Sequence, residues 1–314
     1  MFIISNYIMS IVIHIPFYNP NPEKKEGYRK LRRFDYLKEN VTNLKALSIE
    51  TNIFIHTHND FLNDKELEAT IIQHEINMDD LNKGYLTWQC RPLMEKQKND
   101  YQYFMYLEHD IKFSENNLQY WLKYQEFLAK KNFHLGFLIF EKKNSDNEKY
   151  SIHISKKLDK FFNIDNQKFI VNDLENYCCF WIYTKEQLKT FLESPWWTFK
   201  KRAHNFRHNY GVTERSSIGF HAFCMNYFKA TLIPEINDQP DPDSFIEHIT
   251  NNYYEKFLEF RNQNFTDIRG ACKFEINDIL ENFDNREKLN DNFYINKIIK
   301  SFIWKFRFIT RKLN

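Results

Sequence analysis

Apolar residues follow two periods along this chain. The stretch MSIVIHIPFYNPNP (9–22) runs β-branched residues together until Pro16 and an Asn/Pro cluster, the pattern of a buried strand entering a loop. GYRKLRRFDYLKENVTNLKAL (27–47) changes to helical spacing and sets Leu31, Phe34, Leu37, Val41 and Leu44 on one face. TNIFIHTHND (51–60) and ELEATIIQHEI (66–76) read as short strands, and LTWQCRPLMEKQKNDYQ (86–102) as a helix. That helix leads into YFMYLEHDIKFSEN (103–116), an apolar run that ends on Glu108, His109 and Asp110. Strand, helix, strand, strand, helix, strand is the order of a parallel sheet covered by helices, which binds ligands where its strands end.

Farther on, FHLGFLIFEKK (133–143), KYSIHISKK (149–157) and NYCCFWIYTKEQLKTFL (176–192) continue as strands, the last running into a helix. TERSSIGFHAFCMNYFK (213–229) reads as a helix, with Thr213 as its N-cap and Glu214 in its first turn. In INKIIKSFIWKFRFITRKLN (295–314), Ile295, Ile298, Ile299, Phe302, Phe306, Ile309 and Leu313 recur at helical spacing. Lys297, Lys300, Arg307, Arg311 and Lys312 gather opposite them, which makes a basic amphipathic helix. The pattern divides the chain into an α/β domain over 1–255 and a helical C-terminal extension over 256–314.

Composition adds a few exclusions. At 42% hydrophobic and 27% charged the chain is globular, and no stretch has the roughly 18–20 apolar residues of a membrane-spanning helix. A formal charge of +2 is too balanced to argue for nucleic acid, which needs a clustered basic face. The five cysteines form no CxxC pair, which disfavours a zinc site and suits a reducing compartment. MFIISNYI has neither the basic start nor the long apolar core of a secretory signal, so a cytoplasmic protein is expected.

Glu108 and Asp110, one position apart at a strand end, bring carboxylate oxygens to the edge where an α/β sheet binds ligands. Mg²⁺ or Mn²⁺ takes such oxygens and completes its shell with substrate phosphates, neutralising a departing diphosphate as a Lewis acid. The competing reading is a solvated strand end, with Asp110 capping the next helix.

SIVIHIPFYNP and YFMYLEHDIKF resemble the first strand and the DxD-bearing strand of nucleotide-sugar glycosyltransferases of the GT-A fold, with Glu in place of the first Asp. The resemblance spans about residues 10–255. It implies a Rossmann-like, mostly parallel central sheet flanked by helices, a UDP- or GDP-sugar donor, and a glycan or lipid-linked acceptor. It also implies that Glu108 and Asp110 hold the metal with the diphosphate, and that His248 in FIEHITNNY supplies a further ligand. Pro16, Phe17, Tyr18, Asn19, His58 and Asp60 become candidates for holding the donor's base and ribose. An inverting transfer needs a general base near a helix start on the acceptor side. Glu214 matches that placement, and Arg215 beside it is a candidate phosphate contact.

Each candidate has a plainer alternative. His248 can be a satisfied core imidazole, Glu214 a first-turn residue favoured by the helix dipole, and THND an ordinary loop. HTH (56–58) lacks an evident third metal ligand. Trp196 and Trp197 can form an acceptor platform or simply core. The basic tail either lies on an anionic cytoplasmic leaflet or packs on protein. Two other classes stay open: a non-catalytic carbohydrate- or nucleotide-binding module of the same fold, and a nucleic-acid-binding protein using KLRR and the tail.

Overall fold

The β-branched run that opens the chain becomes the middle of a twisted five-stranded sheet. The structure, a computed structural model, describes residues 9–19, 32–143, 148–154, 156–172, 177–194, 196–198, 211–221, 227–251 and 274–290. In the central sheet, β1 (Ser10–Pro16), β2 (Glu50–Thr57), β3 (Thr70–Gln73) and β4 (Tyr103–Leu107) run parallel. An antiparallel edge strand, β11 (Phe180–Thr184), pairs with β4, so the strand order is β11-β4-β1-β2-β3. The chain is therefore α/β and Rossmann-like, with a mostly parallel central sheet.

Period-2 alternation divides this sheet between two cores. Ile11, Ile13 and Ile15 of β1, with Met105 and Leu107 of β4, face one side. There α1 (Arg33–Lys45) and α4 (Glu115–Lys130) cover them with Leu37, Val41, Leu44, Leu118 and Trp121. Each fully buried aliphatic side chain of this kind contributes roughly 1.5–3 kcal/mol. Val12, Phe104, Tyr106, Trp181 and Tyr183 face the other side, against Cys90 and Met94 of α3 (Cys90–Lys96) and Leu188 and Phe191 of α5 (Lys185–Glu193). Both faces of β1 are buried because helices lie on both, which explains its unbroken apolar run.

Two helical expectations shorten. The segment over 86–102 forms a 3-10 turn at Tyr85–Gln89 and only then α3, preceded by the short α2 (Met78–Asn82). Pro92, in the first turn of α3, has no amide hydrogen to bond back into the preceding turn, so the α-helix cannot extend upstream. Among the described residues of the segment over 213–229 the helix is α6 (Val212–Ser217), with Gly211 rather than Thr213 at the N-cap. Past its end Gly219 adopts φ +66°, a left-handed conformation that stops the helix, and an added Cβ there would strike the Tyr183 hydroxyl at 2.2 Å.

Two smaller sheets extend the body, mostly from strands that the pattern did not reveal. One contains β6 (His134–Leu135), the hairpin β9 (Lys160–Ile164) and β10 (Gln167–Val171), β12 (Thr231–Ile236), β13 (Gln239–Pro240) and β16 (Glu287–Lys288). The other has the order β15-β8-β7-β14-β5, from β5 (Ile111–Lys112), β7 (Leu138–Lys142), β8 (Lys149–Ser151), β14 (Phe245–His248) and β15 (Phe274–Glu275). Beyond residue 255, the described residues 274–290 are these short strands and 3-10 turns rather than α-helix. The amphipathic segment 295–314 lies outside the described residues. Among the described residues no helix is long and apolar enough to cross a membrane.

Candidate functional site

In the central sheet the strand order reverses between β1 and β4. Moving from β1 towards β2 and β3 the connections lead one way, and β4 lies on the opposite side. Helices after neighbouring strands diverge at such a point and leave a crevice outside the carboxyl ends. The residues at those ends are Phe17, Tyr18 and Asn19 after β1, and Glu108, His109 and Asp110 after β4. They meet at this point, with the rings of Phe17 and His109 edge to face at 5.5 Å.

The acidic turn is held at all four of its carbonyls and at its first and last amides. The amide of Glu108 donates to the carbonyl of Cys179 at 3.1 Å, and Ile111 N donates to Glu108 O at 3.2 Å. Ile249 N, just past β14, donates to Asp110 O at 3.0 Å. The remaining carbonyls, of His109 and Ile111, both accept from Asn40 Nδ2 at 3.2 and 2.7 Å. Asn40 sits on α1 and is fully buried, so an internal amide fixes the turn from beneath. The next helix, α4, is capped by Ser114 in a reciprocal box with Asn117. Asp110 therefore does not cap it, and that part of the plainer reading fails.

The two carboxylates have different surroundings. Glu108 Oε1 lies 3.3 Å from the Tyr177 hydroxyl, which in turn meets Ser217 Oγ of α6 at 3.2 Å. Burial, and then the nearby charge of Asp110, push the Glu108 carboxyl up to about 8, against the hydrogen bonds from Ser217 and Tyr177 and the charge of His248. Burial acts on Asp110 in the same direction. There the imidazoles of His109 and His248 and its hydrogen bonds outweigh burial and hold the carboxyl below its ordinary range. Asp110 Oδ2 is 3.5 Å from His248 Nε2, while Asp110 Oδ1 is buried with no protein partner.

His248 reaches the site as the last residue of β14, whose pairing with β5 sets it opposite Ile111. Its Nδ1 lies 2.5 Å from Oε1 of Glu141 on β7. Burial alone would lower this imidazole, but Asp110 and Glu141 raise it to about 10. Among the described residues no three His, Cys, Asp or Glu side chains form a group that by itself could hold a metal ion. The set that fits a cation is smaller: the free buried oxygen of Asp110 with Glu108 nearby, one or two carboxylates that leave the remaining positions to water and phosphate, as Mg²⁺ prefers.

The other candidates separate into those near the crevice and those away from it. The ring of Tyr18 lies tilted against that of His58 with centroids 5.2 Å apart, and Arg33 donates to the Tyr18 carbonyl at 3.1 Å. Pro16 and Phe17 are buried in the strand end, Asn19 receives a bond from Asn59, and Asp60 is exposed on the following turn. Glu214 and Arg215 lie on α6, the helix whose Ser217 reaches the Glu108 cluster. Glu214 folds back on its own helix start: a Cβ on Gly211 would lie 2.4 Å from its Oε2. Trp197 is core, 5% exposed, and its carbonyl with that of Trp196 accepts from the buried guanidinium of Arg91. An acceptor platform at Trp197 is therefore excluded by its burial.

The histidine pair of the HTH stretch is also separated. His56 turns inward, with Nε2 2.8 Å from His14 Nδ1 and Nδ1 2.8 Å from His74 Nε2, whereas His58 faces the crevice residue Tyr18. Sequence reasoning missed Asn40, Glu141 and Tyr177. Asn40 comes from α1, Glu141 from β7 and Tyr177 from the segment before β11; contacts between elements far apart in the chain bring them to the turn, and none carries a local motif.

No family model matches the chain, and no curated protein matches it. Its coordinates are similar to those of Staphylococcus aureus TarS. Against the TarS 1–349 structure the identity is 11% and the TM-score 0.38, over 83% of this chain and 67% of that one. Against the same fragment in complex with UDP the values are 12% and 0.39, over 83% and 68%. In a longer TarS structure the matched region spans only 41% of that chain, with TM-score 0.41. These figures describe a distant likeness and assign no activity to this chain.

Proposed function

We propose that this protein is a metal-dependent glycosyltransferase of the GT-A type, moving a sugar from a UDP- or GDP-sugar to a glycan or lipid-linked acceptor. The observation that carries the reading is the fixed acidic turn at the reversal of strand order, with an unsatisfied buried Asp110 oxygen beside the crevice. A merely solvated strand end has no need of a buried amide beneath it and no reason to leave a carboxylate oxygen unpartnered.

In this reading Asp110, with Glu108 next to it, holds Mn²⁺ or Mg²⁺ against the donor's diphosphate, and His248 steadies Asp110 or joins the ligand set. The ion, when bound, neutralises charge on the leaving diphosphate. Tyr18 and His58 take the base and ribose, together with Pro16, Phe17, Asn19 and Asp60 at the ends of the first two strands. The acceptor hydroxyl attacks C1, the bond from C1 to the phosphate oxygen breaks, and the nucleoside diphosphate leaves. Glu214, swung away from its helix start, takes the hydroxyl proton, while Arg215 meets phosphate. The segment 295–314, with its basic and apolar faces, brings the enzyme to an anionic membrane surface where a lipid-linked acceptor resides.

The test is slow hydrolysis of UDP- and GDP-sugars in water, followed by release of the nucleoside diphosphate with and without Mn²⁺. The reading expects metal-dependent release that Asp110→Ala abolishes; unchanged release in that variant removes the metal role. Flotation with anionic vesicles, using the full chain and one lacking 295–314, tests the surface contact. Equal flotation of the two overturns it.

A further inference from the structure

The proposed chemistry leaves one fully buried carboxylate without a role. Glu141, on β7, is 0% exposed although it opens the polar sequence EKK. β7 runs parallel to β14, and this pairing brings Glu141 Oε1 to 2.5 Å from Nδ1 of His248. A carboxylate only accepts, so Nδ1 of His248 carries the proton of this bond and the ring cannot turn over without losing it. The other ring nitrogen, Nε2, is thereby directed at Asp110 Oδ2, 3.5 Å away, with Thr250 Oγ1 at 3.1 Å. At 3.5 Å the two atoms are too far apart for a good hydrogen bond. A divalent ion taken by both atoms, at about 2.0–2.1 Å each, would draw them closer together and displace the Nε2 proton.

We infer that Glu141 is a positioning residue of the site, fixing the His248 imidazole so that its Nε2 and the Asp110 carboxylate face the same point. A histidine that serves a metal almost always gives its second N–H to a carboxylate, a backbone carbonyl or water, and loss of that outer partner typically costs about 10–100-fold in affinity or activity. The role rests on the metal-dependent reading of the crevice. Neighbouring charge on the same strands is already matched, since Lys142 pairs with Glu247 at 2.8 Å, so Glu141 is not needed to balance them.

Two measurements test this. The first needs no variant near Glu141: two-bond proton–nitrogen spectra of the imidazoles, with the His248 signal assigned by its loss in His248→Gln. Nδ1 should stay protonated from pH 6 to 8, with or without Mg²⁺ and UDP; an unprotonated Nδ1 overturns the inference. The second is Mn²⁺ affinity in the presence of UDP, read by electron paramagnetic resonance. Glu141→Leu should weaken it 10–100-fold, whereas Glu141→Gln, which keeps an accepting oxygen, should stay within about 3-fold. Binding by the Leu variant equal to wild type overturns the inference. If the Leu variant does not fold, the imidazole spectrum decides. Wild-type protein that binds no Mn²⁺ with UDP counts against the glycosyltransferase reading itself, and the spectrum then judges Glu141 separately.

Discussion

Three histidines stand in a hydrogen-bonded row at the carboxyl ends of β1, β2 and β3, and they make acid stability a sharp test of the fold. His14 Nε2 donates to Gln97 Oε1 at 2.9 Å, which makes His14 Nδ1 the acceptor for His56, 2.8 Å away, and His56 Nδ1 the acceptor for His74. Burial holds His14 down to about 3, with Gln97 acting the other way, and burial lowers His56 and His74 too. A histidine neutral in the folded state and free to charge in the unfolded one contributes its full stability above the unfolded value of 6.5. That contribution is lost as pH falls from there towards 3. For His14 alone, linkage with these two values gives a loss of about 2 kcal/mol between pH 8 and pH 5.

The total pH dependence is not diagnostic, because the site works the other way. Glu108 and His248, pushed up to about 8 and about 10, contribute stability at low pH that is lost as pH rises. The difference between wild type and His14→Gln cancels those groups. Glutamine keeps a donor for Gln97 and an acceptor for His56 but cannot charge. Urea unfolding at pH 8 and pH 5 should show the variant less stable at pH 8, with the gap narrowing by about 2 kcal/mol at pH 5. A gap that is the same at both pH values within about 0.5 kcal/mol, the ordinary scatter of such differences, would refute the buried neutral row.

Two further predictions concern the supports of the site. Asn40→Leu leaves the His109 and Ile111 carbonyls unpaired at a cost of about 1–3 kcal/mol each. Calorimetry should show both a lower melting temperature and weaker nucleotide binding, and unchanged binding would mean that the turn keeps its shape unaided. Arg286 pairs twice with Glu235, at 2.8 and 3.0 Å, with both side chains at most 3% exposed. Glu235 also takes Lys168 at 2.6 Å, so Arg286→Ala leaves that carboxylate half-paired and should destabilise by about 1–3 kcal/mol in urea unfolding; a loss below about 0.5 kcal/mol, that of an ordinary surface substitution, would contradict this.

The central sheet was legible because its strands are buried on both faces and so carry unbroken apolar runs: IVIHI, NIFIH and YFMYL each became the strand expected of it. The acidic turn was legible for the same reason, as the point where such a run stops. The smaller sheets were not. β5, β6 and β14 span only a few residues, and what defines them is pairing with partners far along the chain. Glu141 is the clearest case: followed by two lysines it has the local look of a solvent residue, and its partner in the interior is His248, 107 positions away. The long helix expected over 213–229 fails for a local reason, a single left-handed glycine whose need for that conformation is set by the Tyr183 hydroxyl behind it.

The account depends most on Asp110 meeting an ion that also holds a nucleoside diphosphate. Titration calorimetry of UDP and GDP, with and without Mn²⁺, on wild type and Asp110→Ala measures that directly. The account predicts that Mn²⁺ tightens binding of one of the two at least tenfold, about 1.4 kcal/mol, and that Asp110→Ala loses this gain while keeping its fold. Binding indifferent to Mn²⁺ in the wild type, or a gain that survives in Asp110→Ala, would contradict it.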